Sequence, residues 1–350
     1  MKVMQVMAGA EDGGAETFFV SLAGALARAG LEQRAVIRRN PRRAEQLRRA
    51  GLEPLELPFG GRFDFTTRAG LKRDIARFRP DIVLSWMSRA SSLIPKGDFL
   101  HLARLGNYYK LKHFRNCDHL LCITPKIADY CVENGWPRDR VHYMPNFASL
   151  QAVPPLDRAS LETPADAPLL LALSRLHPSK GLDTLLQALA REPRAWLWLA
   201  GEGPQRESLQ RQARDLGVAG RVRFLGWRSD RAALLAACDI VVFPSRYEPF
   251  GTVSLEAWGY RRPLVAAASD GPAGLVRDEV DALLVPIDDV AALATAITRL
   301  IADRALAQRL AAAGAARYET DFTEEACVRR YLDLFERLLS EAAARRVVGT

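Results

Sequence analysis

The sequence predicts an α/β chain of two domains, each a parallel sheet with helices on both faces. Short apolar segments alternate with helical ones in both halves, the chain is 350 residues long, and a proline-rich stretch divides it. An apolar content of 49% is enough for two cores and leaves no low-complexity segment.

In the first half, the pattern predicts strands near Lys2–Ala8, Gln33–Ile37, Ile82–Ser85 and Leu120–Ile123. Helices are expected near Ala15–Ala29, Pro41–Ala50 and Phe65–Phe78. The stretch from Ala148 to Pro168, with Pro154, Pro155, Pro164 and Pro168, reads as the linker. Strands then recur near Leu169–Leu173, Trp196–Ala200, Val222–Phe224, Ile240–Phe243, Leu264–Ala267 and Leu283–Val285. Helices lie between them, for example at Gly181–Ala190, Gln205–Leu216 and Thr252–Tyr260, and the tail from Val290 is almost all helical. The expected domains are 1–150 and 165–323, followed by a final helix over about 324–350.

Composition narrows the function classes. The five cysteines (Cys117, Cys122, Cys131, Cys238, Cys327) are odd in number and make no C-x-x-C pair, which favours reduced thiols over disulfides or a zinc site. The N-terminus turns acidic at Glu11 and Asp12 and lacks the apolar core of a signal peptide, and no segment approaches a membrane span. A cytoplasmic location is expected. Residues 1–150 hold 24 Lys and Arg against 15 Asp and Glu, a balance of +9, while the remaining 200 hold 25 against 26, or −1. Arg38, Arg39, Arg42, Arg43, Arg48 and Arg49 contribute much of the excess, with Lys72, Arg73, Arg77 and Arg79 further on. Such a domain suits an anionic partner, in particular an anionic membrane face. No zinc finger, basic zipper or RNP-like motif accompanies the charge, so nucleic acid is not expected as a partner.

The most informative motif is FPSRYEPFGTVSLEAW, residues 243–258. Glu248 falls in a turn-prone stretch after an apolar strand, and Glu256 about one turn into the following helix. The two carboxylates can thus reach different parts of one ligand at a strand-to-helix edge, where open α/β sheets bind ligands and helix amides suit a phosphate. A nucleotide-sugar, hydroxylated at both ends and phosphorylated in the middle, fits. Upstream, in SRLHPSKGLDTLLQAL, Arg175 closes a strand and Lys180 opens a helix, two cations suited to a diphosphate. Between the first strand and first helix, GAEDGGAE supplies Gly13, Gly14 and Glu16; adjacent glycines allow close backbone approach, but this is not the G-x-G-x-x-G dinucleotide fingerprint.

Glu248, Phe250, Gly251, Leu255, Glu256, Ala257, Pro263 and Val265 together resemble the E-x7-E signature of the family 4 retaining glycosyltransferases; Pro249 stands where that family more often has glycine. Arg175, Lys180 and Gly181 resemble the same family, as does the run GGAE. The resemblance implies the GT-B fold: two facing Rossmann-like domains with a deep cleft, the last helix crossing back to the first domain over roughly Glu324–Leu339. It implies that Glu256 takes the donor ribose, Glu248 the hydroxyls of the transferred sugar, and the backbone at Phe250, Gly251 and Thr252 the sugar and phosphate. Arg175 and Lys180 would neutralise the leaving diphosphate, Gly13 and Gly14 would face the phosphate and acceptor, and the loop FLGW (224–227) would lie near the base. Tyr108, Tyr109, Lys110, Lys112 and Arg115, with TPKIADY (124–130), look like the subset that builds lipopolysaccharide core.

Retaining members use front-face substitution, in which the departing phosphate helps to deprotonate the acceptor hydroxyl. No cofactor beyond the nucleotide-sugar co-substrate is expected, and no metal: D-x-D is absent and the five histidines show no ligand spacing. Family members often carry a catalytic histidine after a mid-domain strand. The candidate here is His101, with Arg104 or Asn107 as alternatives reaching the cleft. The expected activity is retaining transfer of a hexose or heptose to a lipid-linked or lipopolysaccharide-core acceptor. A GT-B nucleotide-sugar epimerase and a non-catalytic sugar-nucleotide-binding protein are the alternatives.

Overall fold

A computed structural model describes residues 1–11, 13–61 and 64–348, so Asp12 and the end of the predicted C-terminal helix, 349–350, lie outside the described residues. The chain divides into two compact units. Residues 1–146 group with the chain from Glu324 onward, and Phe147–Thr323 form the second unit. The proline-rich stretch therefore belongs to the second unit.

The first unit runs β1 (Lys2–Met7), α1 (Gly14–Arg28), β2 (Glu32–Arg38), α2 (Pro41–Arg49), β3 (Leu55–Leu57), α3 (Phe65–Phe78), β4 (Ile82–Trp86), α4 (Met87–Leu93), β5 (Leu100–Leu105), β6 (His119–Cys122), α5 (Pro125–Glu133) and β7 (Val141–Tyr143). Its strands pair in parallel in the order β3-β2-β1-β4-β5-β6-β7. Local chemistry fixes the helix starts. Asn40 accepts from the Arg43 amide at 2.9 Å with Pro41 at the first helical position, Asp64 accepts from Thr67 at 2.8 Å, and Thr124 accepts from Ile127 at 3.2 Å ahead of Pro125.

The second unit runs β8 (Leu169–Leu173), α6 (Leu182–Ala190), β9 (Trp196–Ala200), α7 (Arg206–Asp215), β10 (Val222–Gly226), α8 (Arg231–Ala237), β11 (Ile240–Phe243), α9 (Thr252–Gly259), β12 (Leu264–Ala267), α10 (Asp270–Leu275), β13 (Leu283–Val285), α11 (Val290–Ala302) and α12 (Arg304–Asp321). Its six strands are parallel in the order β10-β9-β8-β11-β12-β13. β8, β11 and β12 are buried along their whole length, as expected of parallel strands covered on both faces. The final helix, α13 (Glu324–Val348), packs on α1 of the first unit.

The pattern misses β3, β5, β7, α4 and α5. β3 and β7 are only three residues long. β5 reads LHLARL, and its His101 and Arg104 break the apolar run although both are buried. Arg104 is held between the rings of Phe18 and Trp86, 4.5 and 4.6 Å from their centroids. It donates to the Tyr331 hydroxyl at 2.9 Å and to Asn146 Oδ1 at 2.5 Å. This tie between β5 and α13 engages the side chain that sequence reasoning had offered as a substitute for His101.

Candidate functional site

In the second sheet the chain leaves β8 for β9 and β10 on one side, then returns to β11 and continues outward on the other. β8 and β11 are therefore the switch point, and the loops after them part at the carboxyl edge, where such sheets leave a crevice. Arg175 and Lys180 follow β8, and Glu248 follows β11.

Close backbone packing sets this edge. The amides of Arg246 and Tyr247 donate to the Ser179 carbonyl at 2.9 and 3.2 Å, lacing the two loops together. Gly181 has φ +63, and a β-carbon there would stand 2.1 Å from the Pro244 carbonyl oxygen. Gly251 has φ +92, and its β-carbon would meet the Phe243 ring at 2.9 Å. Both positions thus require glycine twice over, by dihedral and by space. Arg246 clamps the corner from outside: its guanidinium donates to Asp183 at 2.7 and 2.8 Å, to Asp288 at 2.7 and 2.9 Å, and to the Pro178 carbonyl at 2.6 Å.

Within this frame Lys180 Nζ donates to Glu248 Oε2 at 2.7 Å, with both side chains mostly buried. The Glu248 carbonyl accepts from the Gly271 amide at 2.7 Å, fixing the turn that presents its side chain. Glu256 is engaged elsewhere, accepting from Arg231 at 2.6 Å at the start of α8. Burial pushes the Glu256 carboxyl up from its ordinary range, and Arg231 opposes the shift. Arg175 is exposed and contacts neither acid. Phe250 is buried, so only its backbone faces the edge, and Thr252 opens α9 half-buried. No side chain caps α9, which leaves its first amides directed at the loop.

Among the predicted residues, Lys180 and Glu248 are thus brought into contact, and Glu256 finds a partner that the sequence reading missed. Arg231 and Arg246 carry no local signal, because their acids lie at least 25 positions away in the chain. A second miss was legible: Gly201 and Gly203 follow β9 as a G-x-G. Their β-carbons would lie 1.8 Å from the Ser174 carbonyl oxygen and 2.4 Å from that of Leu176, so this loop supports the Arg175 loop from beneath.

In the first unit the loop after β1 carries Gly13 and Gly14. A β-carbon on Gly13 would meet the Glu16 carboxylate at 2.3 Å, while one on Gly14 would meet nothing within 4 Å. Glu16 is buried and accepts from the Ala10 amide at 2.8 Å. Gly13 therefore makes room for Glu16, and Gly14 leaves open backbone at the start of α1.

The structure corrects the reading of His101. It is the second residue of β5, four positions before the strand's carboxyl end, and only 3% exposed. Nε2 lies 2.8 Å from Ser85 Oγ and Nδ1 3.1 Å from the Asn116 carbonyl oxygen, and burial pushes its pKa down to about 4. Both ring nitrogens are committed inside the core, so the environment gives His101 a packing role and no reach to an edge. Among the described residues, no group of three His, Cys, Asp or Glu could hold a metal ion, and no helix is long and apolar enough to cross a membrane.

Two family models cover most of the chain: Glycosyltransferase Family 4 over residues 12–152, and Glycosyl transferases group 1 over residues 155–317. A lipopolysaccharide core biosynthesis glycosyltransferase, LpsE, of Rhizobium meliloti (strain 1021) is 40% identical over 333 residues, covering 93% of this chain and 96% of its own. The chain belongs to the family 4 glycosyltransferases. LpsD of the same organism, with the same description, is 39% identical over 96% of this chain and 98% of its own. The structure of Anabaena Alr3699/HepE in complex with UDP superposes with a TM-score of 0.85 at 20% identity, covering 96% of this chain and 100% of that one. The fold of this family 4 chain is GT-B, as the sequence predicts.

Proposed function

We propose that this glycosyltransferase moves a hexose or heptose, with retention, from a nucleotide-sugar to a lipid-linked acceptor of the lipopolysaccharide-core type. The observation that carries the reading is the Lys180–Glu248 contact beside the uncapped start of α9 at the switch point. It sets a cation, a carboxylate and free helix amides side by side, which a glycosylated diphosphate needs. The UDP complex of a structural neighbour and the descriptions of LpsE and LpsD support the donor and acceptor classes respectively.

In this reading Lys180 and the exposed Arg175 neutralise the diphosphate, and Glu248 accepts from hydroxyls of the transferred sugar. Backbone at Phe250, Gly251 and Thr252 binds sugar and phosphate, and Glu256 accepts from the ribose hydroxyls. The first unit serves the acceptor, with Gly13 and Gly14 offering open backbone. The bond from anomeric carbon to phosphate oxygen breaks as the acceptor oxygen bonds to the same face. The acceptor proton passes to the departing phosphate, so neither a metal nor a protein base is required, and fixed cations stabilise the charge that develops. The enzyme works in the cytoplasm, at the anionic inner face of the membrane that holds its acceptor.

Thermal stabilisation by a panel of nucleotide-sugars tests the donor half. The true donor raises the midpoint with the logarithm of its concentration, and Lys180→Ala abolishes the shift. Equal shifts in wild type and Lys180→Ala would remove the basis of the reading.

A further inference from the structure

The positive charge of the first unit is not spread evenly around its sheet. α1, α2 and α13 pack together on one side. Here most of the cations are occupied: Arg28 pairs with Glu324, Arg48 with Glu53, Arg49 with Glu45 and Arg337 with Glu341. Arg43, counted in the excess by sequence, is buried and donates to the Ala10 carbonyl at 2.6 Å.

The right-handed return from β3 to β4 carries α3 to the other side. There Leu71 of α3 shares one apolar cluster with Ala90 of α4 and with Met4 and Val6 of β1. The turn Leu111–Phe114 packs on α4. Every Lys and Arg from residue 65 to 116 is exposed except Arg104, and none of these exposed cations pairs with an acid among the described residues. α3 alone presents Arg68, Lys72, Arg73 and Arg77. The same span holds only three acids: Asp74, buried against Arg34; Asp81, which accepts from the Lys2 amide; and Asp98. At the first position of α3 stands Phe65, 73% exposed.

Unpaired cations on the outer side of an amphipathic helix, with a large aromatic at its tip, match an anionic bilayer: lipid phosphates for the charges and the acyl boundary for the ring. We propose that the α3–α4 side of the first unit, and not its α1–α2–α13 side, docks on a bilayer rich in anionic lipid, with Phe65 entering the interface. This deepens, and rests on, the reading of a lipid-linked acceptor. A nucleic acid would ask for a groove or a stacking platform, and this side offers the outer surface of helices and one ring.

The test is cosedimentation of the full chain with phosphatidylcholine vesicles, with and without phosphatidylglycerol. Retention is expected only on the acidic vesicles, falling as salt rises. Reversing Arg68, Lys72, Arg73 and Arg77 to Glu should weaken it by about 100-fold or more. Reversing Arg191, Arg211, Arg214 and Arg304 in the second unit makes the same change of net charge and should cost far less. A version with the four α3 cations changed to Gln covers any loss of helix stability in the first variant, and Phe65→Ser should weaken retention with little change in the salt slope. Equal loss in both charge-matched variants would overturn the assignment of this side, as would equal binding to neutral vesicles. Retention by duplex RNA with the same dependence on α3, and none by vesicles, would overturn it too. Vesicle binding needs no donor, so it can fail while donor binding through Lys180 stands, and the reverse.

Discussion

At the switch point of its sheet, the second unit sets Lys180 2.7 Å from Glu248, and one helix further on Arg231 2.6 Å from Glu256. The first unit has the same strand order at its own switch point, between β1 and β4, yet offers there Gly13, Gly14 and a single buried carboxylate, Glu16. Its catalytic-looking side chains turn inward: His101 into the core, and Arg104 between two rings and Tyr331. One framework thus supports two kinds of edge. The lesson is that strand order locates a binding edge, while the charge placed on its loops decides whether that edge grips an anion or merely lets a ligand approach.

The sharpest break of this comparison is to empty the charged edge. Glu248→Ala and Lys180→Ala should each lower transfer by roughly 100- to 1,000-fold, the range seen on removing one preorganised polar group from a transition state. Because the two side chains touch, the double variant should lose much less than the product of the single losses. Full additivity would mean that the contact plays no part in catalysis.

The second unit was far more legible in sequence than the first. The central strands of its sheet stand out as apolar runs bounded by breakers, because β8, β11 and β12 are covered on both faces. The acidic motif at 248–256 was readable because its spacing follows from a turn and the first turn of a helix. Arg231 was not, since only the folded sheet brings α8 to Glu256. In the first unit, β5 was hidden by His101 and Arg104, polar residues that the fold satisfies from β4, α1 and α13. α5 carried a readable start, Thr124 followed by Pro125, that periodicity alone passed over. The charge excess was visible as a number, but only the division between paired and unpaired cations gave it a side.

If the first unit contributes packing where the second contributes chemistry, His101 should matter to stability and not to turnover. Burial lowers its pKa from 6.5 to about 4, so below 6.5 the unfolded chain takes up a proton that the folded chain refuses. Stability is then lost progressively as pH falls from about 6.5 to 4, by up to about 3 kcal/mol. Urea unfolding of wild type should show this slope, and His101→Gln should flatten it while leaving kcat at neutral pH within about twofold of wild type. A large fall in kcat at unchanged stability would give the first unit a reacting group after all.

Glycines sharpen the contrast more gently. Gly181→Ala forces a β-carbon onto the Pro244 carbonyl at positive φ and should cost about 1–3 kcal/mol in chemical unfolding. Gly14→Ala points into open space and should stay within about 0.5 kcal/mol. A drop in activity for Gly14→Ala at that unchanged stability would mark close ligand approach at the first edge.

The smallest effect separates the two ion pairs of the second edge. In the proposed donor site Glu256 accepts from ribose hydroxyls, more strongly when ionised, and burial raises its pKa while Arg231 lowers it. Donor binding should therefore weaken on the acid side as pH falls toward that raised pKa. Arg231→Met removes the opposing charge, so the acid limb should move to higher pH. The same raised pKa makes the folded state bind its proton more tightly than the unfolded chain. Stability should therefore fall, not rise, as pH climbs from the ordinary carboxyl value through the folded one, and more so in Arg231→Met. Titrating donor affinity and unfolding together in both proteins checks the pair of signs. An acid limb that stays in place when Arg231 is removed would assign it to Glu248 or to the donor phosphate, and would reduce the Arg231–Glu256 contact to a structural strut.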